Sequence, residues 1–132
     1  MMHYLMKIIP AIILGAILVT STACGQTRKN INVNEAKVMI DKGGVVVVDV
    51  RTPDEFNGGH LKNAKSMNVN DVKFEANIQA LDKNKPVVVY CAVGGRSARA
   101  ADIMAQKGFK NVYNVSGGYN AWSSAGLPTT MK

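Results

Sequence analysis

Cysteine, histidine, tryptophan and proline are all scarce in this 132-residue chain, at two, two, one and four copies. Two cysteines rule out a disulfide framework of the kind that staples small secreted domains. Two histidines, one of them at His3, leave too few ligands for a zinc site around a lone cysteine. Aromatic residues make up only 6%, and no basic run has aromatics interleaved, which argues against a nucleic-acid surface. Acidic residues are also few, nine against 16 basic, so the net charge is +7. That excess suits solubility and the attraction of small anions or an anionic lipid surface. No apolar run reaches the roughly 20 residues needed to cross a bilayer. The chain shows no internal repeat, and its length allows one ordinary domain.

The first residues read as a leader. Met1 to Lys7 carries one positive side chain, Lys7, and Ile8 to Val19 is almost wholly apolar. Such a short apolar stretch fits the core of a secretory signal. Ser21-Thr22-Ala23 supplies small residues for cleavage, and Cys24 follows at once. This end resembles a bacterial lipoprotein signal, in which the cysteine becomes lipidated and N-terminal. Ser21 departs from that pattern, which has an aliphatic residue there, and ordinary signal-peptidase cleavage also fits. The expected organisation is a signal over 1–23, a polar tether over 24–30 and a domain over 31–130, exported to the periplasm or cell envelope. Cys24 is the expected lipidation site and membrane attachment.

Strand and helix patterns alternate along the rest of the chain. Ile31-Asn32-Val33 reads as a short edge strand, and Asn34 as the N-cap of a helix ending at Gly43-Gly44. Val45 to Val50 is a β-branched run of the kind buried on both faces of a parallel sheet. Arg51 to Phe56 reads as a turn into a short helix, with Pro53 in its first turn. A strand over Ala64 to Val69, a helix near Val72 to Leu81 and a strand over Val87 to Tyr90 follow. A helix from Ser97 to Lys107 ends at Gly108, with Phe109 placed to touch Met104. Asn111 to Val115 is a last strand, and Tyr119 to Ser124 a last short helix. The alternation implies an α/β fold with a mainly parallel sheet.

Cys91 sits at the carboxyl end of the apolar run Pro86 to Tyr90, where open parallel sheets bind ligands. A tight loop, Ala92-Val93-Gly94-Gly95-Arg96-Ser97, joins it to a helix. A loop curling round the sulfur aims successive backbone N–H groups inward as an anion nest. Gly94 and Gly95 permit the required backbone angles, and the helix N-terminus adds its own donors. Arg96 offers a charged fork for an oxyanion or orders the loop. Ser97 either donates to the sulfur or caps the helix. These features favour a reactive, approachable thiolate over a buried inert cysteine.

Three motifs together resemble the rhodanese family of single-domain sulfurtransferases. They are Asp49-Val50-Arg51 with Glu55-Phe56 and Gly59-His60-Leu61-Lys62-Asn63-Ala64; Cys91 to Arg96 as C-x-x-G-x-R; and Gly117-Gly118-Tyr119-Asn120-Ala121-Trp122 with Gly126-Leu127-Pro128. The resemblance spans Ile31 to Pro128. It implies one small doubly wound domain around a central five-stranded parallel sheet. It implies that Cys91 is the nucleophile and takes a sulfane sulfur from a donor such as thiosulfate, holding it as a persulfide. A thiol or cyanide then removes the sulfur, with no metal and no cofactor. Ala92, Val93, Gly94, Gly95, Arg96 and Ser97 are the expected anion contacts. Cysteine phosphatases and related arsenate reductases use a loop one residue longer, so this loop favours a sulfur atom over a phosphoryl group. A non-catalytic module that relays sulfur or binds a partner is the other reading. The family pattern makes His60 structural. Asp49 is expected to form a hydrogen bond or ion pair within the Asp49-Arg51-Glu55 group, Trp122 to pack in the core or wall or else line the pocket, and Arg99 to be a solvated helix charge or an extension of the basic rim.

Overall fold

The computed structural model describes residues 27–131. The leader and the start of the polar tether, Cys24 included, lie outside those residues. Among the described residues, no helix is long and apolar enough to cross a membrane.

Five parallel strands form one sheet, β1 (Lys29–Ile31), β2 (Val46–Asp49), β3 (Lys65–Ser66), β4 (Val87–Tyr90) and β5 (Val112–Val115), in the order β1-β5-β4-β2-β3. The helices are α1 (Val33–Lys42), α2 (Pro53–Asn57), α3 (Phe74–Ile78), α4 (Gly95–Gln106) and α5 (Gly118–Ser124). β4 lies at the centre, in register with Val46 to Asp49 on one side and Val112 to Asn114 on the other. Both its faces are buried, which is why Val87, Val88 and Val89 read as a continuous apolar run.

Side-chain alternation sorts the core into two layers. Val48, Val50, Val87, Val89, Cys91 and Val112 face Phe74, Ile78, Ala100, Ala101 and Met104, from α3 and α4. Val47, Val88, Tyr90 and Val115 face Ala36 of α1 and Trp122 of α5. The sheet is therefore covered on both faces, and the expected doubly wound, five-stranded architecture is the one observed. Alanines at 100, 101 and 105 let α4 lie close over β4 and β5.

Several boundaries differ from the sequence expectation. The first strand is Lys29–Ile31, not Ile31–Val33, so the end of the polar stretch belongs to the sheet. Asn32, not Asn34, caps α1: its Oδ1 accepts from Glu35 N–H while its Nδ2 donates to Glu35 Oε1. β3 has only two residues, although Met67 N–H still donates to Asp49 O (2.8 Å) and Val69 N–H to Val50 O (3.2 Å). α3 is shortened because Asn68 and Asp71 side chains take backbone N–H groups in tight turns before it. α4 starts two residues earlier than expected, at Gly95. Its end follows the expectation: Phe109 N–H donates to Met104 O (3.1 Å), and both side chains are buried in one cluster.

Candidate active site

Cys91 leaves β4 at the carboxyl edge of the sheet, and its side chain faces α4. The chain then folds back on itself. Gly94 N–H donates to Cys91 Sγ at 3.0 Å, and Ser97 Oγ lies 3.3 Å from it. Burial pushes the Cys91 thiol up. The Ser97 hydroxyl and the N–H groups of Ser97, Gly94 and Val93 outweigh it, so the thiol is held below its ordinary value. Of the N–H groups expected to form an anion nest, that of Gly94 makes the direct hydrogen bond to the sulfur.

The loop takes this shape because its carbonyls are claimed from outside. Tyr119 N–H donates to Cys91 O (2.7 Å) and Asn120 N–H to Ala92 O (3.0 Å). These are first-turn N–H groups of α5, which have no partner within their own helix. With its carbonyls turned toward α5, the loop presents N–H groups to the sulfur. Gly118 makes this approach possible: a Cβ there would lie 2.4 Å from Cys91 O and 2.7 Å from Ala92 O. Gly94, with φ +120°, makes the return bend.

Cys91 itself is fully buried, at 0% exposure. The expectation of an approachable thiol is corrected here: the folded-back Gly94 and the Ser97 hydroxyl close over the sulfur. Val93 at the loop tip is exposed instead. Two surface cavities among the described residues lie away from the loop. One, of about 300 Å³, lies between Gly43–Val47 and Lys62, Asn63 and Lys65 at the other end of the sheet. The second lies beside Trp122 and Pro128.

Arg96 does not stand free beside the sulfur. Its two terminal nitrogens donate to Glu55 Oε1 (2.7 Å) and Oε2 (2.9 Å), a bidentate clamp between α4 and α2. Arg96 holds the Glu55 carboxyl far down, at about 2, with Thr52 contributing at the helix cap. Of the two roles expected for Arg96, the geometry displays loop ordering. The expected pairing of Asp49 within the Asp49-Arg51-Glu55 group is observed, with Arg51 as its partner. Asp49 and Arg51 form a buried pair, with Nε to Oδ1 at 3.0 Å and Nη2 to Oδ2 at 2.7 Å, while Glu55 turns to Arg96.

The Asp49–Arg51 pair braces the site from below. Arg51 Nη2 also donates to Gly59 O at 2.6 Å, and the guanidinium lies 4.3 Å from the Tyr119 ring centroid. His60 is stacked on Phe56 with ring centroids 3.7 Å apart, and its backbone exchanges hydrogen bonds with Thr130. It is structural, as expected. Trp122 is buried and donates from Nε1 to Pro128 O, 2.9 Å. Arg99 donates to Asn70 Oδ1 on the surface.

Sequence reasoning missed one residue beside the sulfur. Asn114 on β5 is buried, with its Oδ1 2.6 Å from Ser97 Oγ. Its signal was a polar residue at a core-facing position in Val112-Tyr113-Asn114-Val115.

Residues 32–125 match the rhodanese-like domain family. The chain is a rhodanese-family member. Among its relatives, a thiosulfate sulfurtransferase GlpE from Vibrio cholerae is 37% identical over 75% of this chain and 92% of its own. A rhodanese-related protein from Thermoplasma volcanium has a similar structure, with TM-score 0.69 and 30% identity over 79% of this chain and 99% of that one. The polysulfide-sulfur transferase homodimer of Wolinella succinogenes aligns at TM-score 0.67 and 33% identity, covering 78% of each chain.

Proposed function

We propose that this protein is an exported sulfurtransferase that works through a persulfide on Cys91. The observation that carries the reading is the convergence of Gly94 N–H and the Ser97 hydroxyl on Cys91 Sγ. The relatives named as thiosulfate sulfurtransferases support the donor class. The Cys91 thiolate attacks the sulfane sulfur of thiosulfate, the donor's S–S bond breaks, and sulfite leaves with the bonding pair. The new persulfide is anionic, and the same N–H groups stabilise it. Cyanide or a thiol then attacks the outer sulfur, and Cys91 departs as thiolate. Sulfur carries the covalent intermediate, so the chemistry asks for no metal or organic cofactor. Arg96 keeps N–H groups beyond the two that Glu55 engages, and these meet the donor's oxyanion at the loop rim. Because Cys91 is buried, the donor reaches it as the loop at Val93 and Gly94 gives way.

The protein acts from the cell envelope, attached by lipid on Cys24 after removal of residues 1–23. Mass spectrometry of the protein isolated from cells checks this: an unmodified, uncleaved N-terminus refutes it.

Thiosulfate treatment followed by cyanide tests the chemistry. Release of one thiocyanate per chain, lost in Cys91→Ser, is the expected result. No sulfur on an intact Cys91 refutes it. Full burial of Cys91 favours one second reading, a module that relays sulfur from a protein partner with slow turnover of free thiosulfate. Loading by a partner persulfide but not by thiosulfate selects it. Aryl phosphate hydrolysis lost in Cys91→Ser would instead make the protein a phosphatase.

A further inference from the structure

The polar residues behind the sulfur form a chain whose donor directions are fixed. Arg28, a donor only, reaches Asn30 Oδ1 at 3.4 Å and is itself held by Asp102. Asn30 Oδ1 also accepts from Asn114 Nδ2 at 3.1 Å. Gly94 O, an acceptor only, lies 3.5 Å from the same Nδ2. Both partners therefore require that Asn114 turn its amide nitrogen away from Ser97 and its oxygen toward it. Ser97 has one hydroxyl proton and three acceptors in reach: Asn114 Oδ1 at 2.6 Å, Gly94 O at 3.2 Å and Cys91 Sγ at 3.3 Å. The shortest contact is to Asn114.

We propose that Asn114 is a positioning residue that competes with Cys91 for the Ser97 hydroxyl proton, so that the thiol ionises less readily than it would with that hydroxyl given wholly to the sulfur. With the Ser97 proton on Asn114, the serine oxygen faces the sulfur with lone pairs and accepts the S–H of the thiol. Ionisation sends the S–H proton to solvent and turns the Ser97 hydroxyl to the sulfur. Asn114 Oδ1 is then left buried without that donor, which costs free energy. The thiol is less easily oxidised than the thiolate, so this competition protects Cys91 between turnovers. The inference rests on the proposed function only in taking Cys91 as the reacting group; its test reads ionisation and not sulfur transfer.

Charged groups sit on the elements around the loop. Arg96 and Arg99 lie on α4, and the Asp49–Arg51 pair and Glu55 come from β2 and α2. The substitutions below alter none of them. Thiolate absorbance is followed against pH in the full chain for wild type, Asn114→Leu and Asn30→Ala. Asn114→Leu should lower the Cys91 pKa, giving about tenfold more thiolate at a pH below the titration, a shift of about one unit. Asn30 is exposed on an edge strand, so Asn30→Ala leaves the core intact. It frees the Asn114 amide to turn its nitrogen toward Ser97, and should also lower the pKa, by less. In a Ser97→Ala background, Asn114→Leu should shift nothing. An unchanged or raised pKa in Asn30→Ala overturns the proposal even if Asn114→Leu fails to fold. A shift that persists without the Ser97 hydroxyl overturns it as well. A merely structural asparagine would change stability without making the thiol more acidic.

Discussion

Gly118→Ala is the sharpest test of how the loop is built. The new Cβ would stand 2.4 Å from Cys91 O and 2.7 Å from Ala92 O, both backbone atoms that cannot swing aside as a side chain can. The start of α5 must retreat, and with it go Tyr119 N–H to Cys91 O and Asn120 N–H to Ala92 O. Two lost hydrogen bonds cost about 1 kcal/mol each. Alanine at φ +54° adds about 1 kcal/mol of backbone strain. Together these give a loss of about 3 kcal/mol, which lowers Tm by on the order of 15 °C for a domain of this size. The freed carbonyls then turn inward, the N–H groups leave the sulfur, and the Cys91 pKa rises. Gly95→Ala is the control, since a Cβ at Gly95 meets nothing within 4 Å. It should stay within about 0.5 kcal/mol of wild type. Urea unfolding and thiol titration of both variants decide the matter. A Gly118→Ala protein as stable as Gly95→Ala, with an unchanged thiol, would refute the claim that α5 shapes the loop.

Three other outcomes follow from the same contacts. Asp49→Asn leaves the buried Arg51 guanidinium without its counter-charge and should cost about 3–5 kcal/mol in denaturant unfolding; a loss under about 1 kcal/mol would contradict the role given to that pair. Glu55→Gln should cost about 1 kcal/mol at neutral pH, kept small because both partners of the Arg96 pair are about a third exposed. Since the Glu55 carboxyl is lowered from 4.5 to about 2 on folding, its contribution is complete above pH 4.5 and fades as pH falls toward 2. The stability gap to wild type should therefore close over that window, and a pH-independent gap would count against the clamp. Cys91 alkylation in urea-free buffer should reach half its limiting rate at lower pH than for the unfolded chain, because the loop N–H groups and Ser97 favour the thiolate; the opposite order would show that burial dominates.

What was legible in the sequence depended on whether the cause was local. The β-branched run at Val45 to Val50 and the apolar run at Val87 to Tyr90 marked central parallel strands, and their burial bears this out. Of the two loop glycines expected to take special backbone angles, Gly94 has a positive φ, whereas Gly95 opens α4 with no such angle. The cap of α1 is Asn32 and not the expected Asn34. The choice of Asn32 was readable from the glutamate three residues on. The partner of Glu55 was not legible, because Arg96 is 41 residues away in the chain. The burial of Cys91 was invisible for a similar reason. Strand-end position says where a side chain emerges, but closure depends on the return of Gly94 and on what α5 does to the carbonyls behind it.

The three motifs that stand apart in sequence meet at Tyr119. Its amide holds the Cys91 carbonyl, and the Arg51 guanidinium lies against its ring. Its hydroxyl occupies the space beside Gly59, where a Cβ would sit 2.3 Å away. Arg51 in turn bonds Gly59 O and Asp49. The charge pair therefore serves positioning: Asp49 fixes Arg51, Arg51 fixes Tyr119 and the Gly59 turn, and Tyr119 fixes the carbonyl of Cys91. The nest around the sulfur is made of backbone N–H groups, which carry no side-chain identity of their own. Their aim has to be imposed by the neighbours of the loop, and this explains why the most constrained residues, Gly59, Gly118 and the Asp49–Arg51 pair, lie outside it.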